Sequence, residues 1–140
     1  MEQLVLRPFA DDDIEAVIDL LQDVSAYRPP ANTVADLARR FTQVGNCHAC
    51  VAVLDGRVVA FGSLFVLQRV RGGNSGVIED VVVSKEVRGQ GIGRRVVENL
   101  LECARASECF KVSLEASTSA EPFYQSTGFV PAGQVMKFLL

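Results

Sequence analysis

Glu79-Asp80-Val81-Val82-Val83-Ser84-Lys85-Glu86-Val87-Arg88-Gly89-Gln90-Gly91-Ile92-Gly93-Arg94-Arg95 decides how the whole chain is read. The β-branched run that ends at Val83 predicts a strand. Gly89, Gly91 and Gly93 follow and open directly into a segment of helical periodicity. A strand, a glycine loop and a helix N-terminus together bind phosphate. Glycine lets the backbone come close, and the unpaired N–H groups of the first helical turn point at the anion. Arg88, Arg94 and Arg95 bracket the same turn. Cations in a first helical turn oppose the helix macrodipole, so a negative ligand is expected beside them. A polyphosphate meets that description.

The glycine spacing narrows the choice. A P-loop ends in Gly-Lys-Ser/Thr, which Gly93-Arg94-Arg95 does not supply. A Rossmann fingerprint is G-x-G-x-x-G at the start of a βαβ unit, whereas these glycines run G-x-G-x-G late in the chain, so a nucleotide-dependent oxidoreductase does not fit. The plain alternative is a turn that only caps a helix. The spacing Arg88-x-x-Gly91-x-Gly93 resembles the pyrophosphate-binding signature of the GNAT superfamily of acetyl-CoA-dependent N-acetyltransferases. A second stretch, Phe123-Tyr124-Gln125-Ser126-Thr127-Gly128-Phe129, resembles the Tyr-x-x-x-Gly-Phe segment of the same superfamily. The resemblance spans residues 3–139.

Composition agrees with one domain of this kind. The chain has 140 residues, 49% hydrophobic and 22% charged, as in soluble globular domains. A net charge of −3 argues against nucleic acid or an anionic membrane as partner. No apolar run reaches the roughly 18 residues of a membrane span. Met1-Glu2-Gln3-Leu4 does not read as a secretory signal, so a cytoplasmic location is expected. Cys47-His48-Ala49-Cys50 is formally C-x-x-C, but further ligands for zinc are wanting, and the cysteines read as packing residues at a strand start. No metal is expected. The lone His48 lies too early to read as a catalytic base.

Periodicity predicts strands over residues 3–7, 49–54, 58–70, 77–83, 110–114 and 135–139. Helices are expected from Asp12, with Glu15 completing a capping box, from Thr33, over Gly91–Ala106 and over Ala120–Thr127. Asp55-Gly56 marks a hairpin, and Val77–Val83, helix and Phe110–Leu114 a βαβ crossover with parallel strands. The fold class is α+β, and the resemblance implies the GNAT order βααββββαβαβ. Its mixed central sheet is splayed between two parallel strands, with helices on both faces.

Acetyl transfer needs a held thioester, a neutral amine, a stabilised oxyanion and a proton for the departing thiolate. The resemblance implies that the freed backbone of Val81, Val82 and Val83 pairs with the pantetheine arm of acetyl-CoA and turns an N–H to the thioester carbonyl. It places the pyrophosphate on Arg88, Gly89, Gln90, Gly91, Ile92, Gly93 and Arg94, and Tyr124 beside the cosubstrate as general acid. A phenol suits that role because it stays protonated at neutral pH. Its alternative is a packing tyrosine. Glu79 and Asp80 open the strand on opposite faces, and Glu115 ends the neighbouring parallel strand, where ligands sit in such sheets. Any of the three can bind a cationic amine, and Glu79 can take its proton; each also reads as a cap or loop anchor.

Ile78-Glu79-Asp80-Val81, Cys109-Phe110-Lys111-Val112 and Pro131-Ala132-Gly133 with Met136 resemble the glucosamine-6-phosphate N-acetyltransferase branch more closely. That likeness implies an amino-sugar site lined by Glu79, Asp80 and Glu115 and shared across a homodimer. Three positions depart from the branch. Ala120 stands where it has Asn, Glu115 where it has Asp, and Leu139 where an Arg would grip the phosphate, with Lys137 a point-charge substitute on the same strand face. Other small-molecule amines (an amino acid, a polyamine, a peptide N-terminus) therefore stay open, as does an acetyl-CoA-sensing domain without turnover.

Overall fold

The computed structural model describes residues 3–140. Five strands form one sheet in the order β1-β2-β3-β4-β5: β1 (Leu4–Pro8), β2 (Cys47–Leu54), β3 (Arg57–Gln68), β4 (Asn74–Val83) and β5 (Cys109–Leu114). All neighbours are antiparallel except β4 and β5, which run parallel as the βαβ crossover requires. The β2–β3 hairpin turns through Asp55 (φ 50°) and Gly56 (φ 81°), the two left-handed residues of a tight two-residue loop.

Two apolar layers sandwich the sheet. On one face α3 (Ile92–Ala106) lays Ile92, Val96, Leu100 and Ala104 against Ala52, Leu54, Ala60, Leu64 and Ile78. On the other, α1 (Ile14–Leu21) and α2 (Val34–Thr42) cover Val51, Phe61 and Val82, with Val17, Phe9 and Phe41 between them. A short α4 (Glu121–Ser126) sits at the N-terminal end of α3, where Phe123 packs on Gly93. The central strands β2 and β3 are buried on both faces, so they read as continuous apolar runs rather than alternating ones.

Several local expectations change. Asp12 does not cap α1. A 3-10 turn, Asp11–Asp13, precedes the helix, and Asp13 is the organising carboxylate. It is 6% exposed, takes two hydrogen bonds from Arg7 (2.7 and 2.9 Å) and a third from the Ala10 N–H (2.9 Å). The Arg7 guanidinium therefore holds the Asp13 carboxyl below the usual range. The element order contains three strands between α2 and α3, not four: β2, β3 and β4 correspond to the segments expected at 49–54, 58–70 and 77–83.

The alternating 135–139 segment also forms no strand. Val135, Met136, Phe138 and Leu139 stand largely exposed, and no strand edge of the chain pairs with them among the described residues. A strand pattern needs a hydrogen-bonded neighbour to become a strand. No helix among the described residues is long and apolar enough to cross a membrane.

Candidate active site at the open edge of β4

Parallel pairing of β4 with β5 runs from Asn74 to Ile78, ending where Ile78 meets Leu114. Beyond that point β4 continues to Val83 with β3 on one side and, among the described residues, no paired strand on the other. On that edge the backbone groups of the Glu79–Val83 stretch have no strand partner, the condition β-strand addition requires, though the Val83 carbonyl accepts from Arg88.

A bulge sets the direction of this free edge. Phe61 pairs with Val82 and Ser63 with Glu79, so Gly62 alone faces both Asp80 and Val81. Asp80 takes up the extra residue in a left-handed conformation, φ 58°. The inserted residue reverses the facing of everything after it. In a regular strand Ile78 and Val82 would share a face. Here Ile78, Val81 and Val83 belong to the α3 layer, and Val82 to the α1/α2 layer. Glu79 and Asp80 are therefore not the two opposite faces of a regular strand, as alternation had suggested. Gly62 lies where α3 presses on the sheet: a Cβ there would come within 2.8 Å of Val96 Cγ1 and 3.0 Å of Leu100 Cδ1.

The glycine loop follows directly. Gly89 (φ 83°) and Gly91 (φ 78°) adopt left-handed conformations that lead the chain into α3. Arg88 bonds the Val83 carbonyl through Nε at 3.3 Å and reaches Asp23 at 3.5 Å, tying the loop to the end of β4 and to the segment after α1. Gly89 and Gln90 are exposed, and Ile92 is buried as the first residue of α3. Gly93 sits in close packing, where a Cβ would lie 3.3 Å from Val83 Cγ2 and 3.4 Å from Phe123 Cζ. Arg94 turns away from the loop, bonding the Ser126 carbonyl at 3.2 Å and Glu98 at 3.0 Å, so it joins α3 to α4.

On α4, Tyr124 is half-buried, its ring edge-on to Phe123 (5.0 Å) and Phe129 (5.9 Å). Burial pushes its phenol above the ordinary value, which keeps the proton on the oxygen well past neutrality. Glu79 is held above the usual carboxylate range, first by partial desolvation, then by the like charges of Asp80 and Glu115. Glu79 and Glu115 directly follow Ile78 and Leu114, the last paired residues, so with Asp80 three carboxylates stand where β4 and β5 part. Lys137 pairs with Glu115 at 3.4 Å, so it partners a carboxylate here rather than lying on a strand face.

The sequence reading missed a cationic cavity. About 420 Å³ in volume, it is lined by Arg69, Val70, Arg71, Gly72, Phe110 and Lys111. Among the described residues, Arg69, Arg71, Arg95 and Lys111 are the basic side chains without a carboxylate within salt-bridge reach, and three of them meet in this cavity. No sequence motif marks it, because a hairpin loop and the start of β5 supply the charges from distant positions. A further cavity of about 350 Å³ lies beside β1 and β2 and is lined in part by Cys47, His48, Cys50 and Cys103. Burial pushes the Cys47 and Cys50 thiols up to about 11, and no three metal-ligating side chains cluster among the described residues.

The sequence profile of the Acetyltransferase (GNAT) family matches residues 14–129. The glucosamine 6-phosphate N-acetyltransferase of Trypanosoma brucei brucei is 34% identical over 134 residues, covering 90% of this chain and 88% of that protein. A probable glucosamine 6-phosphate N-acetyltransferase 2 of Oryza sativa subsp. japonica is 35% identical over 142 residues, covering 94% and 84%. The crystal structure of glucosamine-6-phosphate N-acetyltransferase from Arabidopsis thaliana superimposes with a TM-score of 0.88 at 27% identity, over 98% of each chain. A strand splayed from its parallel neighbour, a glycine loop at a helix N-terminus and two matched motifs agree with these relatives: the chain belongs to the acetyltransferase (GNAT) family, an acetyl-CoA-dependent N-acetyltransferase.

Proposed function

We propose that this enzyme acetylates the amine of glucosamine 6-phosphate, as a homodimer, in the cytoplasm. The observation that carries the reading is the gathering of Glu79, Asp80 and Glu115 beside the free edge of β4. An acidic mouth attracts a protonated amine, and Glu79, already raised toward neutrality, is the carboxylate best suited to take its proton. Acetyl-CoA supplies an activated acyl carbon and a thiolate leaving group. On the protein side, backbone N–H groups of Val81–Val83 orient the acyl donor and support developing negative charge on oxygen. Gly89, Gln90, Gly91, Ile92 and Gly93 cradle the anion at the start of α3, with Arg88 alongside. Tyr124 holds the proton that the leaving sulfur requires. Free cysteines fit a reducing compartment.

The phosphate is assigned to the cationic cavity of a second copy. Lys111 lies in β5 and Glu115 just past its end, four positions on and about 13 Å along an extended chain, so the cationic cavity and the acidic group are separate places on one subunit. A two-fold partner can bring its Arg69, Arg71 and Lys111 to the acidic mouth of the first. The exposed apolar residues Val130, Val135, Met136, Phe138 and Leu139 supply the surface such a dimer buries. Release of free thiol from acetyl-CoA, followed with glucosamine 6-phosphate and with glucosamine, tests the substrate. Saturation with the phosphosugar at much lower concentration is expected. Equal use of the two amines, or turnover only with unrelated amines, would remove the phosphosugar reading and leave the acetyltransferase.

A further inference from the structure

We infer that Ser63 is a positioning residue for acetyl transfer, its buried hydroxyl locking the β4 bulge in the register that aims the free edge. The inference rests on the open edge being the reacting site. Ser63 is 1% exposed and sits in β3 among Ala60, Phe61, Gly62 and Leu64, a stretch that otherwise buries no polar side chain. A buried hydroxyl in such surroundings is costly unless it is bonded. It has one partner, the Glu79 carbonyl at 2.9 Å. That carbonyl belongs to the residue at which the bulge begins.

The bulge needs holding from outside. A left-handed conformation at a non-glycine residue such as Asp80 (φ 58°) costs about 1 kcal/mol or more and persists only where its surroundings enforce it. Two neighbours on β3 do so. Gly62 leaves room for the doubled strand opposite while Val96 and Leu100 close the space above it. Ser63 then anchors the last residue before the insertion. If the extra residue were absorbed, Val82 would turn to the α3 layer and Val81 and Val83 away from it. The backbone donors on the free edge would exchange places with acceptors. Ser63 touches no reacting group; it acts through the direction of the Val81–Val83 backbone.

The test compares Ser63→Ala with Ser63→Thr, which keeps the hydroxyl. Turnover, the KM for acetyl-CoA and thermal unfolding are measured, with amide hydrogen exchange, in the free protein, at those amides of Val81–Val83 that face β3. For Ser63→Ala, exchange at those amides should rise and kcat fall roughly tenfold, a misplacement effect, with KM changed less than kcat. Ser63→Thr should restore both if it folds, which the unfolding curve reports. Unchanged exchange together with unchanged kcat would overturn the inference alone. Faster exchange with unchanged kcat would overturn it too, and would also count against the open edge as the reacting site.

Discussion

From Asn74 to Ile78, β4 is held on both edges, by β3 and by β5; from Glu79 to Val83 it is held on one. The first half buries Ser75, Gly76 and Ile78 and packs so closely that a Cβ at Gly76 would meet Leu64 Cδ1 at 2.8 Å and Val112 Cγ2 at 3.3 Å. The second half carries exposed carboxylates, a left-handed aspartate and unpaired backbone. One strand thus does two jobs. Closed pairing and dense packing give stability, and where both stop lies the edge proposed to bind acetyl-CoA.

Substitutions at the two ends should separate those jobs. Gly76→Val should cost the most stability, about 3 kcal/mol from overpacking, read in urea unfolding. A cost below about 0.5 kcal/mol would mean the closed half is not the tight one. Tyr124→Phe, at the open end, should lower kcat by about 100-fold, the low end for a lost proton donor, while coenzyme A binding and unfolding stay near those of the parent. If turnover persists, the phenol is a packing group. Asp80→Gly should raise stability by about 1 kcal/mol by relieving the left-handed residue, even as turnover falls. A stability loss there would show that Asp80 holds the bulge rather than being held in it.

The smallest expected effect is in pH dependence. Because Glu79 is disfavoured as an anion in the fold, the fold binds its proton more readily than the unfolded chain does. Stability is therefore withheld at neutral pH and returned as pH falls through the raised value. Asp80→Asn removes one of the negative neighbours, so Glu79 should ionise at lower pH. The acid limb of kcat/KM for the amine should then shift down, measured at saturating acetyl-CoA. An unmoved limb would assign it to another group.

Much of the framework around the strand could be read from residue order. The β-branched run into Val83, the three spaced glycines and the apolar stripe Ile92, Val96, Leu100 are local patterns, and each became the element it predicted. The Tyr124–Phe129 segment likewise fell where its spacing put it. The open half was less legible. A bulge is invisible in a sequence because Glu79-Asp80-Val81 alternates no differently with or without one. It depends on what stands opposite, and Gly62 and Ser63 are chosen by α3 and by the Glu79 carbonyl. The tail shows the converse failure: residues 135–139 carry a strand pattern, but pattern alone supplies no partner edge.

Sequence by itself determined the family, the sheet-and-helix alternation and the glycine loop at the start of α3, because those depend on neighbours a few residues apart. Only the tertiary structure decided which way Val81, Val82 and Val83 face, that Glu79, Asp80 and Glu115 share one mouth, and that Arg69, Arg71 and Lys111 share one cavity. Those facts depend on register and on charges brought together across strands, and electrostatic and packing energies are set by distance in space, not by separation along the chain.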